Sequence, residues 1–70
     1  MVKTLVILIL LFNGTLVKNT LNFNSPISIL DCLAIGDAYR EGMSTYHGPG
    51  EDQGWYLNDG RGTIQGHYCE

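Results

Sequence analysis

Positive charge, cysteine and proline are all scarce in this chain of 70 residues. Four Lys and Arg residues against seven Asp and Glu residues give a formal net charge of −3 at pH 7. The chain therefore lacks the basic surface that binds nucleic-acid phosphates or anionic lipids, and we expect no nucleic-acid partner. A chain this short forms one domain and buries only about 60% of its unfolded surface. Two-domain enzymes are excluded.

Charge and glycine are unevenly distributed along the chain. Lys18 is the only charged side chain between residues 4 and 30, and all seven acidic residues follow residue 30. Eight of the nine glycines follow residue 35. The N-terminal part is therefore predicted to be regular packed structure, and the rest is predicted to be rich in turns.

The first apolar run has two interpretations. Residues 5–12 are all apolar and follow a basic start, which is typical of a secretory leader. With a leader at about residues 1–14, the protein would be secreted or membrane-tethered. Phe12, however, stands where a cleavage site needs a small residue. Asn13 and Lys18 end the run before the roughly 20 apolar residues of a membrane-spanning helix, so a spanning segment is disfavoured.

The other interpretation is a β-hairpin over residues 3–24. The dipeptide Asn13-Gly14 lies between two β-prone runs and suits a two-residue type I′ turn. That turn pairs Leu10 with Val17. It also makes the first strand apolar on both faces, which is the pattern of a central strand.

A strand that is apolar on both faces leaves one face for a partner. In the predicted register the even-numbered residues of the first strand share a face with the apolar residues of the second strand. The reverse face then carries Ile7, Ile9 and Leu11, which one helix cannot also cover, so we predict these residues as an interface. Tyr56 and Arg61, predicted on the outer side of a second hairpin, are further interface candidates because Tyr and Arg dominate interface energetics.

The middle of the chain has the pattern of an amphipathic helix over residues 28–46. Ser28 and Asp31 have the spacing of a capping box. Apolar residues then recur at helical spacing along one arc. The members of this arc are Ile29, Cys32, Leu33, Ile35, Tyr39, Met43 and Tyr46.

The end of the chain is predicted to be a loop over residues 47–53 and a hairpin over residues 54–69. The hairpin turns at Asp59-Gly60, and its alternation places Trp55, Leu57, Ile64, Gly66 and Tyr68 on one face. The expected fold is a small α+β domain of order ββαββ. An antiparallel sheet of two hairpins carries the amphipathic helix on one face.

The two cysteines, Cys32 and Cys69, can be a disulfide or two thiols. A disulfide would close a loop of about 38 residues and contribute roughly 4 kcal/mol in the chain-entropy model. Strand alternation turns Cys69 away from the face of Trp55, whereas the helical arc buries Cys32. One of these placements has to change if the two form a bond, so both readings stay open.

The remaining polar residues suggest no catalytic, metal or cofactor site. Cys32, Cys69 and the two histidines lack the spacing that presets tetrahedral zinc ligation. Glu51 and Asp52 are adjacent in a predicted loop, which favours a solvated charge pair over an acid and a base across a cleft. We therefore predict a non-enzymatic interaction module that binds a protein partner or forms a homo-oligomer.

Three segments resemble short uncharacterised proteins encoded by marine bacteriophages. These are GWYLNDGRGTIQGHYC at residues 54–69, LLFNGT at residues 10–15 and the dipeptide Asp31-Cys32. The resemblance spans most of the chain and implies no known activity. It implies a small accessory protein in the cytoplasm of a bacterial host, a compartment that keeps thiols reduced.

Overall fold

The computed structural model describes residues 1–50 and 53–70. The elements in chain order are β1 (Val2–Leu11), β2 (Leu16–Ile27), α1 (Ile29–Met43), β3 (Ser44–His47), β4 (Gly54–Leu57) and β5 (Gly62–Cys69). The strands form one antiparallel sheet in the order β2-β1-β5-β4-β3. This confirms the α+β prediction and the ββαββ order, to which β3 adds a short fifth strand. The predicted charge pair Glu51-Asp52 lies outside the described residues.

The turn of the first hairpin is one residue longer than predicted. The Gly14 N–H donates to the Leu11 carbonyl at 2.9 Å, and the Leu11 N–H donates to the Thr15 carbonyl at 2.9 Å. Only Gly14, at φ 91°, has a positive φ in this turn. That geometry is a three-residue loop with a glycine bulge, because a type I′ turn would also need a positive φ at Asn13.

The longer loop shifts the register of β1 and β2 by one residue. Leu10 pairs with Leu16, and Val17 pairs with Ile9. The odd-numbered residues of β1 therefore share a face with the apolar residues of β2, and the even-numbered residues share theirs with mostly polar ones. A slip of one residue exchanges the two faces of a strand, so α1 packs on the opposite face of β1 from the one predicted.

This shift corrects the predicted interface at Ile7, Ile9 and Leu11. Ile7 and Ile9 are 6% and 2% exposed, and Leu11 is half-buried against the same cluster. They contribute to the core under α1 and cannot meet a partner. The buried members of this core are Leu5, Ile7, Ile9, Cys32, Leu57 and Ile64.

A β-bulge in β5 changes the predicted faces of the second hairpin. Leu8 pairs with Gly66 but Ile9 pairs with Ile64, so Gln65 is an extra residue on β5. Trp55 and Leu57 share the helix-covered face with Ile64, as predicted. Beyond the bulge the alternation is reversed, and Gly66 and Tyr68 lie on the opposite face instead.

The helix begins as predicted and ends earlier. The Ser28 Oγ accepts a hydrogen bond from the Asp31 N–H at 3.1 Å, which caps the first turn. The last helical residue is Met43, not residue 46, because Ser44 pairs with Leu57 as the first residue of β3. Thr and Tyr favour strands, and pairing with β4 overrides the helical spacing. The predicted loop at 47–53 accordingly begins one residue later.

Candidate functional site

In the part of the chain that the structure describes, one face of the sheet carries no helix, and we call it the open face. The register of the strands places the even-numbered side chains of β1 on it. The buried cluster that contains Cys32 of α1 lies on the other face. The open face is formed by Val6, Leu8, Leu10, Leu16, Lys18, Thr20, Thr45, His47, Tyr56, Thr63, Gly66 and Tyr68.

The open face is apolar at its centre and polar at its edges. The interior strands β1, β4 and β5 contribute Leu8, Tyr56, Tyr68 and the buried Val6. The edge strand β2 contributes Leu16, which is exposed, and otherwise polar residues such as Lys18 and Thr20. An apolar centre inside a polar rim is the usual composition of a protein–protein interface.

Aromatic side chains extend the open face toward the hairpin turns. The rings of Phe12 and Tyr56 are 6.2 Å apart, and His47 meets Tyr56 edge-on at 4.8 Å. The Phe12 N–H donates to the Arg61 carbonyl at 3.0 Å, which joins the two turns. Tyr56 therefore lies on the uncovered side, as its interface prediction requires.

Arg61 lies in the exposed turn between β4 and β5, where its guanidinium forms an ion pair with Asp59. The Arg61 Nε donates to the Asp59 Oδ2 at 2.7 Å, and the Arg61 N–H donates to the Asp59 Oδ1 at 3.1 Å. These contacts hold the pKa of the Asp59 carboxyl below its ordinary value of 3.8, first through the backbone N–H of Arg61 and then through its guanidinium. Arg61 is thus exposed, and its positive charge is paired with the Asp59 carboxylate.

Gly66 forms a dimple in the middle of the open face. It pairs with Leu8, and no heavy atom lies within 4 Å of the position that a Cβ at Gly66 would take. Its side-chain position is therefore empty space between the larger side chains of β1 and β5. Such a dimple can receive an apolar side chain from a partner.

On the covered face, three successive turns of α1 contact the second hairpin. Cys32 and Cys69 lie at disulfide distance, with their Cα atoms 6.4 Å apart. The bulge at Gln65 explains this pairing, because it returns Cys69 to the face of the helix. The predicted conflict between the two cysteines is thereby removed.

The next two turns are held by packing and charge. A Cβ at Gly36 would lie 2.3 Å from the His67 Cδ2, so the helix backbone rests directly on that ring. The Arg40 guanidinium lies 4.5 Å from the centre of the Trp55 ring, at cation–π distance. Asp37 lies 3.6 Å from His67 and 3.5 Å from Arg40.

An apolar groove of about 480 Å³ also runs along the exposed side of α1. Its lining residues are Ile35, Ala38, Tyr39, Gly42 and Met43. Tyr39 and Ile29, both predicted in the buried arc, are exposed. The helix thus buries only part of the predicted arc against the sheet.

Two absences concern the described residues alone. Within residues 1–50 and 53–70, no three His, Cys, Asp or Glu side chains are grouped closely enough to hold a metal ion. In the same ranges, the structure has no helix with both the length and the apolar composition needed to cross a bilayer.

The sequence prediction placed Leu10, Phe12 and Tyr68 on the covered face, whereas the structure places them on the open face. Phe12 and Leu16 are 65% and 56% exposed, and Leu10 and Tyr68 are also exposed. The signal was present in Gly14, which suits a three-residue bulged loop as well as a two-residue turn. A choice of the longer loop would have placed Leu10 and Phe12 outside, whereas the bulge at Gln65 places Tyr68 there.

These features define a class of protein: a small α+β domain whose antiparallel sheet has one face under a helix and one face open. No protein-family model, curated protein or solved structure matches the chain.

Proposed function

We propose that the protein is a non-enzymatic interaction module that binds a protein through the open face. The observation that carries this proposal is the exposure of the paired Leu10 and Leu16 on the open face, together with Phe12 in the adjoining hairpin turn. Scattered apolar residues are normal on a surface, but a contiguous patch with a polar rim marks an interaction site. In the cytoplasm of a bacterial host, such a module would act as a small accessory protein.

The sheet supplies the rigidity that such a surface needs. β1, at the centre of the open face, is hydrogen-bonded to β2 on one side and to β5 on the other. Side chains on an interior strand lose little further backbone freedom when a partner binds, and preorganisation of this kind raises affinity.

Site-specific photo-crosslinking in the cells that express the protein tests this proposal. A benzophenone amino acid replaces Phe12 on the open face or, as the matched control, Leu30, which is 76% exposed on the helix. We expect covalent protein adducts from position 12 and few from position 30. The absence of adducts at position 12, or equal yields at both positions, would contradict the proposal.

The second candidate is a secreted or membrane-tethered protein whose leader is residues 1–14. The observation that favours it is the pair Cys32 and Cys69 at disulfide distance, because disulfides persist in oxidising compartments. The fold disfavours this candidate, because removal of residues 1–14 takes β1 out of the sheet.

The mass of the protein isolated from its own cells, alkylated before and after reduction, separates the candidates. With alkylation in denaturant, which exposes the buried Cys32, the accessory module predicts the full 7.7 kDa chain with both thiols alkylated before reduction. The secreted candidate predicts a chain shortened by about its first 14 residues, with thiols that react only after reduction. A full-length chain in the soluble fraction would end the leader proposal.

A further inference from the structure

We infer that the occupant of the open face is a second copy of this chain, packed face to face across a two-fold axis. This inference rests on the proposed function, because it names the partner of the same surface. It is carried by the size of the face, by the arrangement of its side chains and by its charge.

The area of the open face fits a dimer. Three long strands and two short ones, spaced about 4.8 Å apart with about 3.3 Å per residue, give a flat projection of roughly 600 Å². The molecule measures 38 × 23 × 16 Å, so the sheet occupies its two longer dimensions. Two such faces together bury about 1,200 Å², the lower end of stable protein–protein interfaces.

The open face also has the self-complementary shape that a two-fold interface requires. In such an interface the projecting residue and the hollow that receives it belong to the same surface. Leu8 and Gly66 are paired on adjacent strands, and apart from its chain neighbours no described heavy atom lies within 4 Å of a Cβ placed at Gly66. An axis along the strands between β1 and β5 lays Leu8 of each copy over Gly66 of the other, at the usual spacing of about 10 Å between packed sheets.

Charge on the open face permits this pairing. Among the described residues, the regular strand pairing places one charged side chain on this face, that of Lys18 on the edge strand β2. Lys3 lies beside Thr4 at the irregularity near the start of β1. Glu70, whose N–H donates to the Thr4 carbonyl at 2.9 Å, continues the register on the same face beyond the end of β5. Each copy thus carries its charged groups at the periphery of the face, and the centres that meet are uncharged.

The dimer buries apolar surface that a single short chain leaves exposed. A domain of this size buries a small share of its surface, and oligomerisation is one of the routes by which small chains gain stability. In the dimer the two sheets form an inner sandwich and the two helices lie outside. Phe12 and Leu10 then pass from solvent into the interface.

Sedimentation velocity on the purified, oxidised full chain tests the inference. We expect a species of twice the 7.7 kDa chain mass, with dissociation on dilution. Phe12→Lys and Leu10→Lys should raise the dimer Kd by roughly tenfold or more, because each places a charge in the interface. Leu30→Lys, which makes the same change on the helix, should leave the Kd unchanged.

Gly66→Leu provides a second and independent variant. The monomer has room for this side chain, so circular dichroism should report an unchanged fold. The dimer has no room, because the new side chain occupies the hollow that receives Leu8. We expect a dimer Kd raised to the same extent as by Phe12→Lys.

Three outcomes would overturn the inference. A chain that stays monomeric at about 100 μM lacks the micromolar or tighter affinity of an interface of this kind. A dimer that resists Phe12→Lys and Gly66→Leu, or one that Leu30→Lys disrupts, uses another surface.

The cross-linking experiment separates failure of this inference from failure of the proposed function. A monomeric purified chain whose position 12 cross-links to a different protein in cells ends the inference and keeps the interaction module. A monomeric chain without adducts at position 12 ends both. An adduct of twice the chain mass supports both.

Discussion

At the scale of single residues, close backbone approach determines which glycines the fold requires. Gly36 supports the His67 ring, and a Cβ at Gly62 would lie 2.2 Å from the Leu10 carbonyl oxygen. The absence of a side chain therefore lets the helix approach β5 at Gly36 and lets β5 approach β1 at Gly62. The remaining helical glycine, Gly42, has no atom within 4 Å of its Cβ position and serves as an internal control.

We expect Gly36→Ala to lower the free energy of unfolding by about 1–3 kcal/mol, because the methyl group overlaps the His67 ring. Gly42→Ala should instead raise it by up to about 1 kcal/mol, since alanine favours the helix and meets nothing. Urea unfolding of both variants measures the difference.

The partner of Gly36 provides the control for this prediction. In the His67→Ala background the overlap is gone, and Gly36→Ala should cost much less than in the parent chain. Equal losses in both backgrounds, or equal effects at Gly36 and Gly42, would contradict the close approach.

The pH dependence of one turn follows from Asp59. Its pKa lies below 3.8 because the Arg61 N–H and then the Arg61 guanidinium stabilise the carboxylate. A depressed pKa in the folded state contributes stability that is present above the unfolded value of 3.8 and is lost as the pH falls through the folded value. An NMR titration of the Asp59 carboxyl carbon should therefore have its midpoint below 3.8.

Arg61→Ala tests the order of the two causes. The backbone N–H remains in this variant, so the Asp59 midpoint should rise only part of the way to 3.8. Full return to that value would show that the guanidinium dominates. An Asp59 midpoint at or above 3.8 in the parent chain would contradict the turn geometry itself.

At the scale of elements, α1 is attached to β5 through the contact between Cys32 and Cys69. The helix is only 15 residues long, and several of its apolar residues are exposed. Sequence reasoning found both cysteines but could not pair them, because the bulge at Gln65 that turns Cys69 toward the helix has no signature in the alternation of β5.

We expect reduction to lower the free energy of unfolding by about 4 kcal/mol, the chain-entropy value for a loop of this length. The double variant Cys32→Ala/Cys69→Ala should lose a similar amount. Denaturant unfolding with and without reductant measures both effects.

The double variant also serves as the control, since reductant should not change its unfolding curve. A parent chain equally insensitive to reductant would show that the two sulfurs are not bonded in solution.

At the scale of the whole molecule, β1 is the interior strand on which both faces of the sheet depend. Its odd-numbered residues form the core with α1, and its even-numbered residues form the centre of the open face. One strand therefore links stability to the proposed interaction. The edge strands β2 and β3 lack a neighbour on one side.

Hydrogen exchange should reflect this arrangement. We expect amides of residues 5–9 to exchange most slowly, because they are hydrogen-bonded between two strands and open only with the whole sheet. Amides of β3 should exchange fastest among the strands, since β3 is short and lies at an edge. Mass spectrometry of peptic fragments resolves these segments. Rapid exchange of residues 5–9 would contradict the sheet order and the open face together.

The sequence alone determined the α+β class, the two hairpins, the interior position of the first strand and the Ser28 cap. These follow from local rules, namely period-two alternation, glycine in tight turns and a side-chain acceptor at a helix start. The tertiary structure decided which face of β1 is covered, where Cys69 points and that residues 44–47 leave the helix for β3. The physical reason is that side chains alternate with a period of two in a strand, so a single added residue, in the loop at Gly14 or the bulge at Gln65, exchanges the faces. The register that forms is the one that buries the apolar residues of β1 and β5 under α1. That choice depends on contacts between residues far apart in the chain.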